Sequence, residues 1–240
     1  MFFICSDHDY NEPAHTNTLI FRRDDRDGEQ RCLREVVMGM GRQSASIQAA
    51  VNSTSIRIYY PLATMRCEGG KVFRSQAARD VGCLLDVDPT VVSWRCMPTD
   101  FGSLAHTVDF EVIHDDGHVV FLDAHDRELP RDVATFEEAA RLRGAEYRHP
   151  SREDVYGGFR LRNAKDLLRY GNYNVPLGDR LRLLGALDEH GSMAIAECLN
   201  AFQETRPVAG LAAMILNRYL EVDLDNAPLG PETVVRRITQ

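Results

Sequence analysis

The segment from His106 to Asp126, HTVDFEVIHDDGHVVFLDAHD, restricts the possible folds of this chain more than any other stretch. Apolar and polar side chains alternate from Thr107 to Ile113, which is the pattern of a strand with one buried face. Asp116-Gly117 is a typical hairpin turn, and the β-branched run after it predicts a returning strand. The segment therefore predicts an antiparallel β-hairpin that packs one face against a core.

Further elements are predicted on both sides of this hairpin. The spacing of apolar residues in FRSQAARDVGCLL predicts a helix with Ser75 as its N-cap, ended by Asp88-Pro89. TVVSWRC predicts a short strand after it, and SIRIYYPL, from Ser55, predicts an earlier one. Thr135 and Glu138 form a capping-box pattern that predicts a second helix, followed by the strand EYRH. This order predicts an α/β fold with a mixed sheet flanked by helices.

The C-terminal third of the sequence is mainly helical. Three helices are predicted from GDRLRLLGAL, from SMAIAECLNAF behind a Ser192 cap, and from VAGLAAMILNRYL after Pro207, and the alternating EVDLD predicts a wing strand. This is the outline of a small winged-helix module. Its third helix offers few polar side chains, essentially Asn217 and Arg218, so we expect a structural or protein-docking role rather than direct reading of DNA. We predict three regions: an unassigned N-terminal arm (1–55), an α/β domain (56–150) and a helical, winged-helix-like domain (151–240).

Composition narrows the class of protein further. No apolar run approaches the roughly 18–20 residues that span a bilayer, and the N-terminus does not look like a secretory signal, so we expect a cytoplasmic protein with no membrane partner. The six cysteines show no CxxC spacing, which argues against a zinc module or a disulfide framework. No GxSxG elbow and no glycine-rich phosphate loop is found.

Charge is unevenly distributed along the chain. Residues 141–182 hold ten Lys or Arg against five acids, so this segment is +5 and the remainder is −13 in a chain of net charge −8. Within it, a basic stripe of Arg162, Lys165 and Arg169 along one predicted helix could follow a phosphate backbone, and Arg160 lies on the same helix. We predict that these residues bind double-stranded DNA. The alternative is an ordinary solvated helix face.

Two carboxylates of the hairpin are candidates for metal-assisted chemistry. Asp109 and Asp123 lie 14 positions apart across the turn, so their side chains converge if both leave the same sheet face. Such a pair, together with a substrate phosphate, can hold Mg²⁺ or Mn²⁺, and the metal can stabilise charge during phosphodiester cleavage. His125 follows two residues after Asp123, on the same face of the predicted strand. The alternative is that the two acids cap loops or pair with arginines.

Four histidines within twenty residues suggest a different metal site. They are His106, His114, His118 and His125. Two of them flank the predicted turn, so we favour surface positions over a transition-metal cluster.

An Asp, a hairpin and then an acid-x-basic triplet is the skeleton of the PD-(D/E)xK nucleases. The stretch RSQAARDVGCLLDVDPTVVSWR, with HTVDF, HVVFLDAHD and the following helix and EYR strand, resembles the nuclease domain of TnsA-like transposase endonuclease subunits. FRLRNAKDLLRY and the helical tail resemble their C-terminal portion, so the resemblance covers about residues 56–240. It implies a restriction-endonuclease-like sheet and Mg²⁺-dependent cleavage of transposon ends in a mobile element, beside a DDE-type transposase and an AAA+ ATPase regulator.

The resemblance implies roles for particular residues and also shows departures. Asp109 matches the central Asp of the family and Asp123 the second acid, whereas His125 stands where the family has lysine and Ala78 where it has the helix glutamate. The resemblance therefore implies a catalytic set of Asp109, Asp123 and His125, with the two acids as metal ligands. Val108 replaces the proline before the central Asp. Neutral imidazole cannot supply the charge of lysine, and Ala78 supplies no ligand, so the predicted site is degenerate. We therefore keep two alternatives to an active endonuclease: an inactive DNA-binding protein of the same fold, and a regulatory adaptor whose C-terminal domain docks a protein.

Overall fold

A computed structural model describes residues 63–98, 106–129 and 132–238 of the chain, which all belong to one compact unit. The N-terminal arm and the strand predicted from Ser55 lie outside the described residues. The boundary predicted at residue 150 stays a prediction.

The first helix and strand form where the sequence pattern places them. Helix α1 (Gln76–Val87) begins after Ser75, whose hydroxyl accepts the Ala78 N–H at 3.1 Å. It ends at Asp88, which adopts an extended backbone because a proline follows. Strand β1 (Val91–Cys96) comes next. Both predicted elements are confirmed.

Four strands form one mixed sheet. The predicted hairpin is formed by β2 (Phe110–His114) and β3 (Val119–Leu122), and α2 (Val133–Arg141) then leads to β4 (Ala145–Arg148). The strand order is β1-β2-β3-β4, antiparallel at the first two pairings and parallel between β3 and β4. The parallel pairing requires a crossover, which α2 supplies. The coarse prediction of an α/β fold with a mixed sheet and helices is confirmed.

The predicted start of α2 is wrong by three residues. Asp132 and not Thr135 is the N-cap, since its carboxylate accepts the Thr135 N–H at 3.0 Å and the Thr135 hydroxyl at 2.6 Å. An aspartate in this position satisfies a free N–H of the first turn, so the helix begins as soon as that acceptor is present.

The sheet has a helix on each face. Against one face, Ala77, Val81 and Leu85 of α1 pack with a cluster of aromatic rings that includes Trp94 and Phe110. The other face carries a separate cluster with α2, whose members are Val108, Phe121, Phe136, Ala140 and Ala145. Neighbouring residues of a strand reach opposite faces, and in β3 this places Val120 in the first cluster and Phe121 in the second. Val108 has the same parity as Phe110 but lies before β2, where the chain is no longer in the strand, and it joins the second cluster.

The remaining elements make up the C-terminal region. They are α3 (Arg152–Tyr156), α4 (Arg160–Leu168), α5 (Leu177–His190), β5 (Ser192–Ala194), α6 (Ile195–Cys198), α7 (Pro207–Leu216), β6 (Leu220–Val222) and β7 (Val234–Arg237). The three strands form an antiparallel sheet in the order β5-β7-β6. The predicted Ser192 cap is wrong: Ser192 lies in β5, paired with Arg236, and the next helix begins only at Ile195.

The buried carboxylate of Asp179 links the first turn of α5 to the segment before α7 by hydrogen bonds. Its carboxylate accepts the backbone N–H groups of Gln203, Glu204 and Thr205, and it also pairs with Arg182. Burial alone would raise the pKa of Asp179, but these hydrogen bonds outweigh it and hold the pKa below its ordinary value.

Helix α4 lies between the two regions and contacts both α1 and α7. Two arginines reinforce the junction: Arg66 donates to the carbonyls of Asp86 and Leu216, and Arg218 donates to the carbonyl of Asp88. Helix α7, the third of the predicted C-terminal helices, is mostly buried as a result. Most of the surface of α7 therefore contacts other parts of the same chain.

Within the described part of the chain, no helix has the length and apolar character needed to cross a membrane.

Candidate functional site

Asp109 lies immediately before β2 and is only 2% exposed. Arg74 binds it with two hydrogen bonds, from Nε to Oδ1 at 3.0 Å and from Nη2 to Oδ2 at 3.1 Å. The Ala124 N–H donates to Oδ2 at 3.0 Å, and Nη1 of Arg127 lies 3.7 Å from Oδ1. The Asp109 carboxylate is thus enclosed by donors, as in the alternative in which the acids pair with arginines.

Asp123 directly follows β3 and is 0% exposed. Its Oδ1 accepts the Asp109 N–H at 2.8 Å, while Oδ2 lies 2.5 Å from His106 Nε2 and accepts the Tyr147 hydroxyl at 2.8 Å. Burial and the adjacent negative charge of Asp123 raise the pKa of Tyr147. Tyr147 therefore keeps its proton and remains a donor.

The hairpin register brings the two acids together. Phe110 pairs with Leu122, so Asp109 and Asp123 come one step beyond the same end of the β2–β3 ladder. Each carboxylate also accepts a backbone N–H at the other strand end, from Asp109 to Asp123 and from Ala124 to Asp109. The two acids therefore stand at the same end of the hairpin, but their other donors differ: Arg74 binds Asp109, whereas His106 and Tyr147 bind Asp123. That the two carboxylates share a cation stays a prediction.

Arg74 carries its positive charge at a position shared by two acids. Besides Asp109, it binds Asp126, with Nη2 2.6 Å from Oδ1. Burial opposes the charge on Arg74, but the bonds to Asp109 and Asp126 hold its pKa above the ordinary value. For Asp126, partial burial is outweighed by hydrogen bonds from Ser75 and Arg74, and its pKa is lowered. One guanidinium thus compensates a pair of carboxylates, as a bound cation would.

In this conformation, Asp109 and Asp123 do not form a site that fits Mg²⁺. All four oxygens of Asp109 and Asp123 already have donors. Mg²⁺ needs free oxygen ligands in octahedral geometry. Ala78 is buried in the α1 core and supplies none. No group of three or more His, Cys, Asp or Glu that could hold a metal occurs in the described ranges.

His125, the third predicted catalytic residue, packs edge-on against Tyr156, with ring centroids 5.4 Å apart. Its Nδ1 is buried and has no hydrogen-bond partner among the described residues. The other three histidines of this segment have different neighbours. His106 binds Asp123, whereas His114 and His118 contact each other at the hairpin turn.

A further buried acid, Asp80 of α1, is not among the predicted site residues. Its Oδ1 accepts from Gln76 Nε2 at 2.7 Å and lies 2.7 Å from Lys165 Nζ. Burial and the negative charge of Asp80 raise the pKa of nearby Tyr156. Asp80 is two residues from Ala78 and is buried although it is not part of the apolar stripe. The buried face of α1 is therefore wider than the apolar residues alone predicted.

The four predicted DNA-binding residues differ in their surroundings. Arg162 is exposed and has no ion-pair partner in the described part of the chain, and Arg169 is exposed and lies 3.5 Å from Asp166. Arg160 pairs with Asp225 at 2.9 Å, and Lys165 compensates Asp80. The basic stripe therefore lies on α4, with Arg162 and Arg169 the most accessible members.

Comparison with models of known protein families finds no match for this chain, and comparison with curated proteins finds none either.

Proposed function

We propose that this chain is a DNA-binding protein of the TnsA-like, restriction-endonuclease-like type, which binds DNA ends beside a transposase and its AAA+ regulator without cleaving them. The observation that carries the proposal is the position of Arg74. Its guanidinium sits on Asp109 where a catalytic metal ion would have to bind, and the oxygens of Asp123 are equally occupied.

The arrangement of elements supports the nuclease type. A helix, a strand, a hairpin, a crossover helix and a parallel strand follow one another, and the two acids stand at one end of the hairpin. The C-terminal helices with the sheet order β5-β7-β6 are compatible with a winged helix. The alanine at position 78 and the packing of His125 against Tyr156 support the loss of cleavage.

The basic surface of α4 supports the DNA-binding part of the proposal. Exposed ion pairs are worth at most about 1 kcal/mol, so a phosphate can replace the acid partners of Arg160 and Arg169 at little cost. Lys165 is less available because its partner Asp80 is buried. Arg162 and Arg169 should therefore carry most of the interaction.

Salt-dependent binding to a duplex tests this part. Wild type should bind with a steep dependence on salt, and the double variant Arg162→Gln/Arg169→Gln should reduce the slope of log K against log salt by about 2, since each phosphate contact contributes about 0.9. Arg206→Gln, at an exposed arginine outside α4, should leave the slope unchanged. Equal slopes for wild type and the double variant would refute the assignment to α4.

A nicking assay on supercoiled plasmid tests the absence of cleavage. With Mg²⁺ or Mn²⁺, the wild-type protein should produce no nicked circles above the level given by Asp109→Ala. Titration calorimetry with Mn²⁺ should likewise show no binding to wild type, whereas Arg74→Ala, which frees Asp109, should bind the ion.

The second candidate is a metal-dependent endonuclease with Asp109, Asp123 and His125 as its catalytic set. The convergence of two carboxylates at one strand end favours it. Nicking by wild type that is lost in Asp109→Ala would establish this function and overturn the proposal of a non-cleaving protein.

A further inference from the structure

A small cavity lies between the start of α5 and the end of α7, away from the Asp109 and Asp123 carboxylates. Its volume is about 100 Å³. Ala213 and Met214 form an apolar wall, and the polar lining includes Asn174, Arg180 and Tyr219. The cavity is large enough for one small polyatomic ion and too small for a nucleotide.

Arg180 is incompletely satisfied at this cavity. Its Nε is buried and has no hydrogen-bond partner among the described residues, and its only hydrogen bond there is a long one, from Nη1 to the Tyr219 hydroxyl at 3.3 Å. No carboxylate of the described chain lies within ion-pair distance of it. Arg180 as a whole is half-buried, so water reaches its outer nitrogens, but its buried Nε has no acceptor. An unsatisfied buried donor costs free energy, so the site favours a ligand that supplies acceptors and negative charge.

The nearby helix end does not oppose an anion strongly. The C-terminus of α7 carries partial negative charge on its last carbonyls. However, the Ala213 carbonyl accepts both the N–H and the side-chain amide of Asn217, and the Met214 carbonyl accepts the Tyr219 N–H. These acceptors are already engaged, so the free donors of Arg180 and Tyr219 dominate the cavity.

We propose that this cavity binds a phosphate group. The guanidinium of Arg180 can donate from two nitrogens to two phosphate oxygens, and the Tyr219 hydroxyl, which accepts from Arg180, still has its own hydrogen to donate to a third. Asn174, whose side chain makes no hydrogen bond to the described residues, adds a further donor. A tetrahedral ion reaches all of these walls, whereas both oxygens of a carboxylate would be used by Arg180 alone. The inference goes beyond the proposed function and does not depend on it.

Phosphate titration of the full chain tests the proposal, with binding measured by titration calorimetry and by the rise in Tm against sodium chloride of equal ionic strength. Wild type should bind inorganic phosphate, and Arg180→Gln should weaken binding by at least about 10-fold because it removes the charged donors. Tyr219→Phe, which removes only the hydroxyl, should weaken it less. Arg236→Gln, at an exposed arginine of β7, should bind as wild type does.

The outcomes separate specific binding from general charge effects. No phosphate binding by wild type, or equal binding by Arg180→Gln, would overturn the proposal, and so would an equal loss in Arg236→Gln. A folded Tyr219→Phe with reduced affinity keeps the test valid if Arg180→Gln does not fold.

A second arm identifies the source of the phosphate group. If a short duplex competes with inorganic phosphate in wild type but not in Arg180→Gln, the ligand is a DNA backbone phosphate. If phosphate binds and the duplex does not compete, the ligand is a free phosphate or a small phosphate ester. Both results support the cavity as a phosphate site, and DNA binding through α4 is measured independently of it.

Discussion

Replacement of Arg74 by methionine should lower the free energy of unfolding by about 2–4 kcal/mol. Removing one partner of a buried ion pair typically costs about 3–5 kcal/mol, because the other charge remains buried without compensation. Asp109 is 2% exposed, whereas the Arg74 side chain is 17% exposed, so solvent reduces the cost somewhat. Arg127, 3.7 Å away, and the Ala124 N–H remain, but they do not replace two lost hydrogen bonds.

The chain contains a matched control for this substitution. Arg141 on α2 binds Glu138 with the same two-bond geometry, from Nε at 2.9 Å and from Nη2 at 2.7 Å. The two side chains are 75% and 51% exposed. Arg141→Met should therefore leave the free energy of unfolding almost unchanged, since solvent already compensates both charges. The two variants differ in burial and not in the type of bond that is lost.

Urea unfolding followed by tryptophan fluorescence measures both effects. Trp94 is the only tryptophan of the chain, and it is buried against Phe73 and Phe110. Phe73 directly precedes Arg74 in the sequence, so the fluorescent ring lies in the core beside the altered residue. Circular dichroism should show the same midpoint, which checks that one transition is measured. Losses below about 1 kcal/mol for both variants would refute the argument that the buried carboxylate depends on Arg74.

Three further sets of variants test other parts of the structure. Hydrogen bonds lower the pKa of Asp179, so the stability that its carboxylate contributes is complete above about pH 4 and decreases as the pH falls. The difference in Tm between wild type and Asp179→Asn should therefore narrow toward about pH 2. A difference in Tm that stays constant with pH would contradict this. Gly185→Ala should raise stability by about 0.5–1 kcal/mol, since the added Cβ meets nothing within 4 Å, whereas Gly82→Ala should lower it by about 1–3 kcal/mol, since its Cβ would lie 2.7 Å from Phe73 Cε1. In thermal unfolding, Gly185→Ala should therefore raise Tm and Gly82→Ala should lower it. A change of Tm in the same direction for both variants would show that the space around each glycine does not determine the effect. Arg218 has a φ of 60°, so Arg218→Gly should be about 1 kcal/mol more stable than Arg218→Ala in denaturant unfolding, and the reverse order would argue against backbone strain there.

Local patterns predicted most of the elements near the candidate site. The alternation along Thr107–Ile113 and the Asp116-Gly117 turn predicted the hairpin, and Ser75 predicted the start of α1. These patterns depend on neighbours within a few residues, so they can be identified without knowledge of the fold. The two predictions that were wrong, the caps at Thr135 and Ser192, concern element boundaries, where a second suitable residue lies a few positions away.

The partners of the two acids could not be predicted in the same way. Arg74 is 35 residues from Asp109, and Tyr147 is 24 residues from Asp123. Their contacts require α1 to pack on the sheet and β4 to pair in parallel with β3. Lys165 was assigned to a basic stripe from its spacing, but the packing of α4 on α1 places it beside Asp80.

The order of residues along the chain was sufficient to place Asp109 and Asp123 at the same end of a hairpin, because a tight turn leaves the register little freedom. The electrostatic surroundings of that pair depend on helices and strands that are distant in sequence, and burial makes those surroundings decisive. An exposed pair of carboxylates could bind a cation from solvent, but this buried pair already has its positive charge, supplied by Arg74 when α1 packs against the sheet.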